Sequence, residues 1–251
     1  MEFNDKKILV TGGSRGIGLA ISKAFAARGA QVAIVYRSNE EAAQRALAAL
    51  AGTGHSLHCA DVADPEQVRL LVDEAAARLG GLDVLVNNAG IGLYHPIETS
   101  SYEEWQDAWQ RTLAANLTGP ANLCFCAAQH MKASGGGRMV NITSRGAYRG
   151  EPIKPAYGAS KAGLTSLSQS LAYALAPHKI FVGAVAPGFV NTELTAARLA
   201  GEEGAEIKAQ SPFNRVAEPE EVAHAVLFLA SEGAEFSTGT VIDVNGASFF
   251  R

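Results

Sequence analysis

The sequence predicts an α/β protein built on a doubly wound, parallel seven-stranded sheet. Three observations carry this. Seven short runs rich in Val, Ile and Leu alternate with longer stretches of helical character. Those runs are apolar at nearly every position, as strands covered by helices on both faces must be. The connections are short and no Pro- or Ser-rich linker divides the chain, so residues 1–251 are expected to form a single domain.

The elements follow in order. Strands are expected at 7–11 (KILVT), 31–36 (QVAIVY), 56–60 (SLHCA), 82–87 (LDVLVN), 138–143 (RMVNIT), 181–186 (FVGAVA) and 239–244 (GTVIDV). Helices are expected at 17–28, 39–51, 65–79, 101–133, 156–177 and 219–231. Two of them start with Pro in the first turn beside acids, at Asp64-Pro65-Glu66 and Glu218-Pro219-Glu220-Glu221; Pro lacks an amide the first turn does not use, and acids favour the helix dipole there. Residues 193–212 break the rhythm, being polar, rich in Ala and Glu, and interrupted by Gly201 and Gly204. They follow the C-terminal end of a strand, where ligands bind in open α/β sheets, and are read as a small helical lid.

Composition narrows the function. Apolar residues make up 47% and charged residues 18% of 251, an ordinary globular balance. The net charge of −4 opposes a nucleic-acid partner, which favours basic surfaces. The N-terminus lacks the apolar core of a signal peptide, and no run approaches the ~20 apolar residues that span a bilayer. A cytoplasmic protein without a membrane partner is expected. Cys59, Cys124 and Cys126 show no CxxC spacing and no matching His cluster. Neither a metal site nor a disulfide framework is expected, and the plain reading is three buried, reduced thiols.

After the first strand comes TGGSRGIG, residues 11–18. Gly12, Gly16 and Gly18, with Ser14, Arg15 and Ile17 between them, let the backbone turn tightly against a pyrophosphate at a helix N-terminus. Such a turn points to a dinucleotide in a Rossmann fold; the absence of GK[ST] disfavours a P-loop. The second strand ends Tyr36-Arg37-Ser38-Asn39 with no acid before Glu40. An acid there would hold the ribose hydroxyls of NAD, whereas a cation suits a 2′-phosphate. Arg37 and Arg15 therefore favour NADP(H) over NAD(H). Asp61, with Val62 beside it, ends the third strand and is suited either to the adenine amino group or to capping the next helix. Tyr157 and Lys161 stand one helical turn apart, which places a phenol and an ammonium on one face.

In this order and spacing the motifs resemble the short-chain dehydrogenase/reductase family over essentially the whole chain. TGGSRGIG matches its glycine turn, Asn87-Asn88-Ala89-Gly90 its fourth-strand motif, and Tyr157-x-x-x-Lys161 its catalytic pair. Ser144, 13 residues before Tyr157, and Asn116 complete the resemblance, with Ala186-Pro187-Gly188 and Thr192 matching the turn that holds the nicotinamide. The resemblance implies catalytic roles for Asn116, Ser144, Tyr157 and Lys161. Reducing a ketone builds negative charge on oxygen, so Ser144 would hold that oxygen and Tyr157 would supply a proton. A free phenol titrates near pH 10, and a nearby Lys161 ammonium is expected to lower that value. Lys161 would also hold the nicotinamide ribose, and Asn116 would fix a water in a proton relay or satisfy a kinked helix. Asn88 would stabilise the sheet centre, Ala89 and Gly90 would make room for the adenosine ribose, and Ile17 and Val190 would offer backbone amides.

The implied activity is NADPH-dependent reduction of a carbonyl to a secondary alcohol, with 3-oxoacyl thioesters as the first substrate class. The overall pattern is most similar to 3-oxoacyl-acyl-carrier-protein reductases, so a carrier-bound acyl chain is one expected form of the substrate. Two positions expected to carry basic carrier-docking residues fall instead within 133–137 and on His178, with Arg138 and Lys179 nearby. Oxidation of a sugar or polyol, and a non-catalytic NADP sensor or scaffold, are the alternatives. Candidate pocket residues are His95, Arg145, Tyr148, Arg149, Glu151 and Phe189, with Arg149 and Glu151 either facing substrate or pairing with each other. The resemblance also implies a homotetramer, with the tail Phe249-Phe250-Arg251 at an interface.

Overall fold

The computed structural model describes residues 3–251. Strand β1 (Lys7–Thr11) shows why the core has two halves. Side chains alternate across a strand, so Ile8 and Val10 enter one apolar cluster while Leu9 enters the other. β4 (Val84–Asn87) and β5 (Gly137–Ile142) repeat the pattern: Val84, Val86, Val140 and Ile142 face one side, and Leu85 and Met139 the other. With β2 (Gln31–Tyr36), β3 (Ser56–Cys59), β6 (Ile180–Pro187) and β7 (Val241–Val244) they form one sheet of order β3-β2-β1-β4-β5-β6-β7. Every pairing is parallel.

Helices cover both faces. α1 (Gly16–Ala26) and α10 (Pro219–Ala230) pack together on the first, while α3 (Pro65–Leu79), α5 (Gly119–Ser134) and the C-terminal half of α7 (Pro155–Leu175) cover the second. α2 (Glu40–Ala48) is capped by Asn39, and α3 by Asp64, whose carboxylate accepts from the amides of Glu66 and Gln67. A short α6 (Gly146–Arg149), too brief to show a helical period in the sequence, follows β5. After β6 come α8 (Glu193–Ala200) and α9 (Gly204–Ala209), the two lid helices expected within 193–212.

The single helix expected over 101–133 is broken. α4 (Tyr102–Leu113) runs into a π-helical turn at Ala114–Thr118 before α5 resumes. Pro120 lacks the amide that would bond the Asn116 carbonyl in a regular helix, and a wider turn absorbs the mismatch. Gly119 lies against the Val62 carbonyl, where a Cβ would fall well inside contact distance. The thiols also differ from expectation: Cys124 is buried, Cys126 half-buried, and Cys59, on the edge strand β3, exposed.

Among the described residues no helix is long and apolar enough to cross a membrane. Replacing Gly119 with Ala should push α5 off the end of β3 and destabilise the protein by about 1–3 kcal/mol, the usual cost of overpacking. Urea denaturation of the two proteins measures this directly.

Candidate active site

The C-terminal ends of the central strands converge. The Thr11 hydroxyl accepts from the amides of Asn88 and Ala89, both at 3.0 Å. The Asn88 side chain in turn donates to the carbonyls of Thr11 (2.9 Å) and Gly12 (3.2 Å), so the glycine turn is sewn to the end of β4. Gly12 and Gly16 have φ of +62° and +50°, a region that favours glycine. Gly18 presses on the Gly12 carbonyl so closely that a Cβ has no room. A Cβ on Gly16 would lie 3.3 Å from the Thr192 methyl, which places the start of the lid against the turn. Ser14 and Ile17 are half-buried, while Arg15 and Arg37 are exposed at the ends of β1 and β2 and join no ion pair among the described residues. Asp61 accepts from Ala63, leaving the cap of α3 to Asp64; the Val62 side chain is buried. Pro187 ends β6, Gly188 abuts Asn245, and the Val190 side chain is buried in the core, so only its backbone faces outward uses.

The other residues gather beside this turn. Ser144 follows β5, and its hydroxyl accepts from Gly146 N at 3.0 Å. The Tyr157 phenol is close enough to this hydroxyl for Ser144 to pull its proton affinity down. One turn further along α7, Lys161 is only 4% exposed and donates to the Ile142 carbonyl at 2.7 Å. Its Nζ lies 5.8 Å from the Tyr157 ring centroid. Asn116, fully buried in the π-helical turn, bonds Ile91 twice, accepting from its amide and donating to its carbonyl at 2.8 Å each. It also donates to Ser160 at 3.1 Å, a residue of the same turn of α7.

A family model described as enoyl-(acyl carrier protein) reductase matches residues 12–247. The chain is 40% identical to a cis-4-hydroxycyclohexanecarboxylate dehydrogenase of Sinomonas cyclohexanicum over 97% of its length and 96% of that protein's. It is 38% identical to the 3-oxoacyl-[acyl-carrier-protein] reductase FabG of Escherichia coli K12, with 99% of each chain covered. A short-chain dehydrogenase of Burkholderia cenocepacia, solved in complex with NADP, superimposes with a TM-score of 0.89 at 34% identity, covering 99% of both chains. The chain belongs to the short-chain dehydrogenase/reductase family. As such it is an NAD(P)-dependent oxidoreductase of carbonyl or alcohol groups.

The residues of this dehydrogenase/reductase fit a dinucleotide. The glycine turn is a cradle that side chains would fill, and it opens α1, whose N-terminal amides favour a pyrophosphate. The Lys161 ammonium has three donors, and the bond to Ile142 uses one. A Cβ on Gly90 would lie 3.4 Å from that ammonium and 3.1 Å from Asn116 Oδ1, so the glycine keeps the space beside both open.

Electrostatics depart from the sequence expectation in one respect. Burial raises the Tyr157 phenol above its ordinary value; the Ser144 hydrogen bond pulls it down and the Glu151 carboxylate pushes it up. Lys161 is not among the groups that shift it, and burial lowers that ammonium's own value to about 8. Two pocket candidates are corrected as well. His95 is buried and uses both ring nitrogens on backbone, at Leu93 O (2.9 Å) and Ala156 N (3.2 Å), so it holds the start of α7. Tyr148 packs beneath the Arg251 guanidinium of the tail, 5.0 Å from its ring centroid. Arg149 donates to Gln210 at 3.3 Å, and no ion pair joins it to Glu151 among the described residues.

The sequence reading missed Lys154. Its Nζ lies 4.8 Å from the Tyr157 ring centroid, and its spacing three residues before Tyr157 at a helix start was the available signal.

Lys161 yields a pH prediction. Its charge is present below about 8 and lost above, so kcat/KM for the dinucleotide should fall as pH rises through that value. Lys161→Arg keeps its charge throughout, and its profile should lack this fall whatever its absolute rate. Steady-state kinetics between pH 6 and 10 measures both.

Proposed function

We propose that the protein is an NADPH-dependent carbonyl reductase in which Ser144, Tyr157, Lys161 and Asn116 are the working residues. The observation that carries this is the convergence of Ser144, which acts on the Tyr157 phenol, with Lys161 one turn away on the same helix. The bound cofactor supplies the hydride. Ser144 holds the substrate oxygen as negative charge develops on it. Tyr157, whose raised pKa keeps it protonated at neutral pH, delivers the proton to that oxygen. Lys161 holds ribose hydroxyls with its unused donors. Asn116 keeps the Ile91 loop closed behind the site and would fix a water that links Lys161 to solvent in a proton relay.

Arg15 and Arg37, exposed and without ion pairs among the described residues, support NADP(H) over NAD(H) through a 2′-phosphate. Gly12, Ser14, Gly16, Ile17 and Gly18 would hold the pyrophosphate; Asp61, Val62, Asn88, Ala89 and Gly90 would border the adenosine; Pro187, Gly188, Val190 and Thr192 would border the nicotinamide.

The first substrate class is a 3-oxoacyl thioester, supported by the similarity to a 3-oxoacyl reductase. Docking of an acyl carrier has little support, since Arg138 is already engaged by Glu235 and the Phe181 ring. A second reading, a ketone bearing a carboxylate, is favoured by the Lys154 ammonium on the Tyr157 ring and by similarity to an enzyme named for a hydroxycyclohexanecarboxylate. For assembly, Phe125 of α5 and Tyr173 of α7 are 68% and 90% exposed, which supports a subunit interface on those helices and a homotetramer.

Tyr157→Phe should lower turnover of any accepted ketone by about 10²–10⁴-fold, read from NADPH absorbance; wild-type turnover in that variant would overturn the mechanism. Arg37→Asp should weaken NADPH binding by about ten- to a hundredfold, the worth of a charged hydrogen bond. NADH binding should change little, and fluorescence titration of the two cofactors compares them.

A further inference from the structure

The stretch from Ser144 to Lys161 holds four cations, Arg145, Arg149, Lys154 and Lys161, against one acid, Glu151, in a chain whose net charge is −4. None of the five joins an ion pair among the described residues. Three of the cations have other work. Arg145 is buried and donates to Ser248 and Gln210, Arg149 donates to Gln210, and Lys161 donates to Ile142.

Lys154 is different. It is half-buried and makes no side-chain hydrogen bond among the described residues; its contact is with the catalytic ring, 4.8 Å from Nζ to the centroid. A flexible ammonium on an aromatic face keeps its charge and its three donors. Gly92 opens the space beside this pair. A Cβ there would sit 3.6 Å from Lys154 Cδ, 3.6 Å from the Tyr157 ring and 3.8 Å from Nζ. The backbone amides at the start of α7 are not the recognition element, because Ala156 N is taken by His95 and Pro155 has none. Glu151 does not neutralise Lys154 either. Its carboxylate packs over Gly146 and acts on Arg145 and on Tyr157.

We propose that Lys154 is a specificity residue that binds a carboxylate of the substrate, so that the enzyme takes anionic oxo acids in preference to neutral ketones. The proposal rests on the oxidoreductase reading above and selects the carboxylate-bearing class within it. Tyr157 meets the reacting oxygen, and an ammonium held on the same ring lies within a few bonds of the reacting carbon. The excess of cations around it steers an anion inward. Desolvation in the partly closed site makes an unpaired carboxylate expensive anywhere else in it. No bond is made or broken by Lys154; it orients the substrate and discriminates between a charged and an esterified one.

The test uses matched pairs, acetoacetate with methyl acetoacetate and levulinate with methyl levulinate, and follows NADPH consumption. The wild type should prefer the acid in kcat/KM by at least about tenfold in one pair, the scale of a hydrogen bond between charged groups. Lys154→Met should lose that preference, chiefly through a raised KM for the acid, while Lys154→Arg should largely keep it. Equal melting temperatures of the three proteins exclude a folding defect as the cause. The proposal is overturned if the wild type turns over the esters as well as the acids, or if Lys154→Met keeps the preference. Turnover of thioesters with none of the acids overturns it too, while leaving the carbonyl-reductase reading in place.

Discussion

A buried ammonium, joined by no ion pair among the described residues, is the constraint around which the site is built. Taking Lys161 out of water is costly, and burial lowers its proton affinity until it titrates at about 8. One carbonyl, that of Ile142 at the end of β5, meets it at 2.7 Å. This bond locks α7 against the sheet, and the helix repeat then fixes Tyr157 one turn away and within reach of Ser144. The register of that helix is secured at its start by His95, which receives the Ala156 amide, and in its middle by Ser160 and Ser168, which receive Asn116 and Asn141. Polar groups that would be liabilities in an apolar core thus act as position markers.

The glycine turn is positioned by the same kind of bond. Thr11 and Asn88 exchange hydrogen bonds across two strands, so the loop after β1 moves only if the end of β4 moves. Thr192 touches Gly16 at the other side, and the lid therefore begins on the turn it would cover. Its far end is held by Gln210, which accepts from Arg145, the residue after Ser144. The Phe189 ring lies between the guanidinium groups of Arg145 and Arg198, at 5.1 and 5.4 Å. Lid, tail and catalytic strand share one buried cation, so their positions are coupled without direct covalent connection.

Cations gather in two places. Arg15 and Arg37 lie at the ends of β1 and β2, where the dinucleotide phosphates belong in this fold. Arg145, Arg149, Lys154 and Lys161 lie along the stretch from Ser144 to α7, with Lys154 and Lys161 beside the Tyr157 ring. Arg138, by contrast, is spent on Glu235 and Phe181 far from both.

The fold was legible in the sequence because strands covered on both faces must be apolar throughout, and the runs at 7–11 and 31–36 match β1 and β2 residue for residue. Tyr157, Lys161 and the glycine turn were legible because their spacing along a helix or tight turn is local geometry. What the sequence did not fix is contact between distant segments. The π-helical turn at Asn116 depends on Pro120 meeting the close approach of Gly119 to Val62. The raised phenol of Tyr157 depends first on burial, which its neighbours in sequence do not reveal. Residue types and spacing pointed to the family's chemistry; burial, decided only when helices closed on the sheet, set the proton affinities of the Tyr157 phenol and the Lys161 ammonium, while the same closure placed Lys154 against the Tyr157 ring.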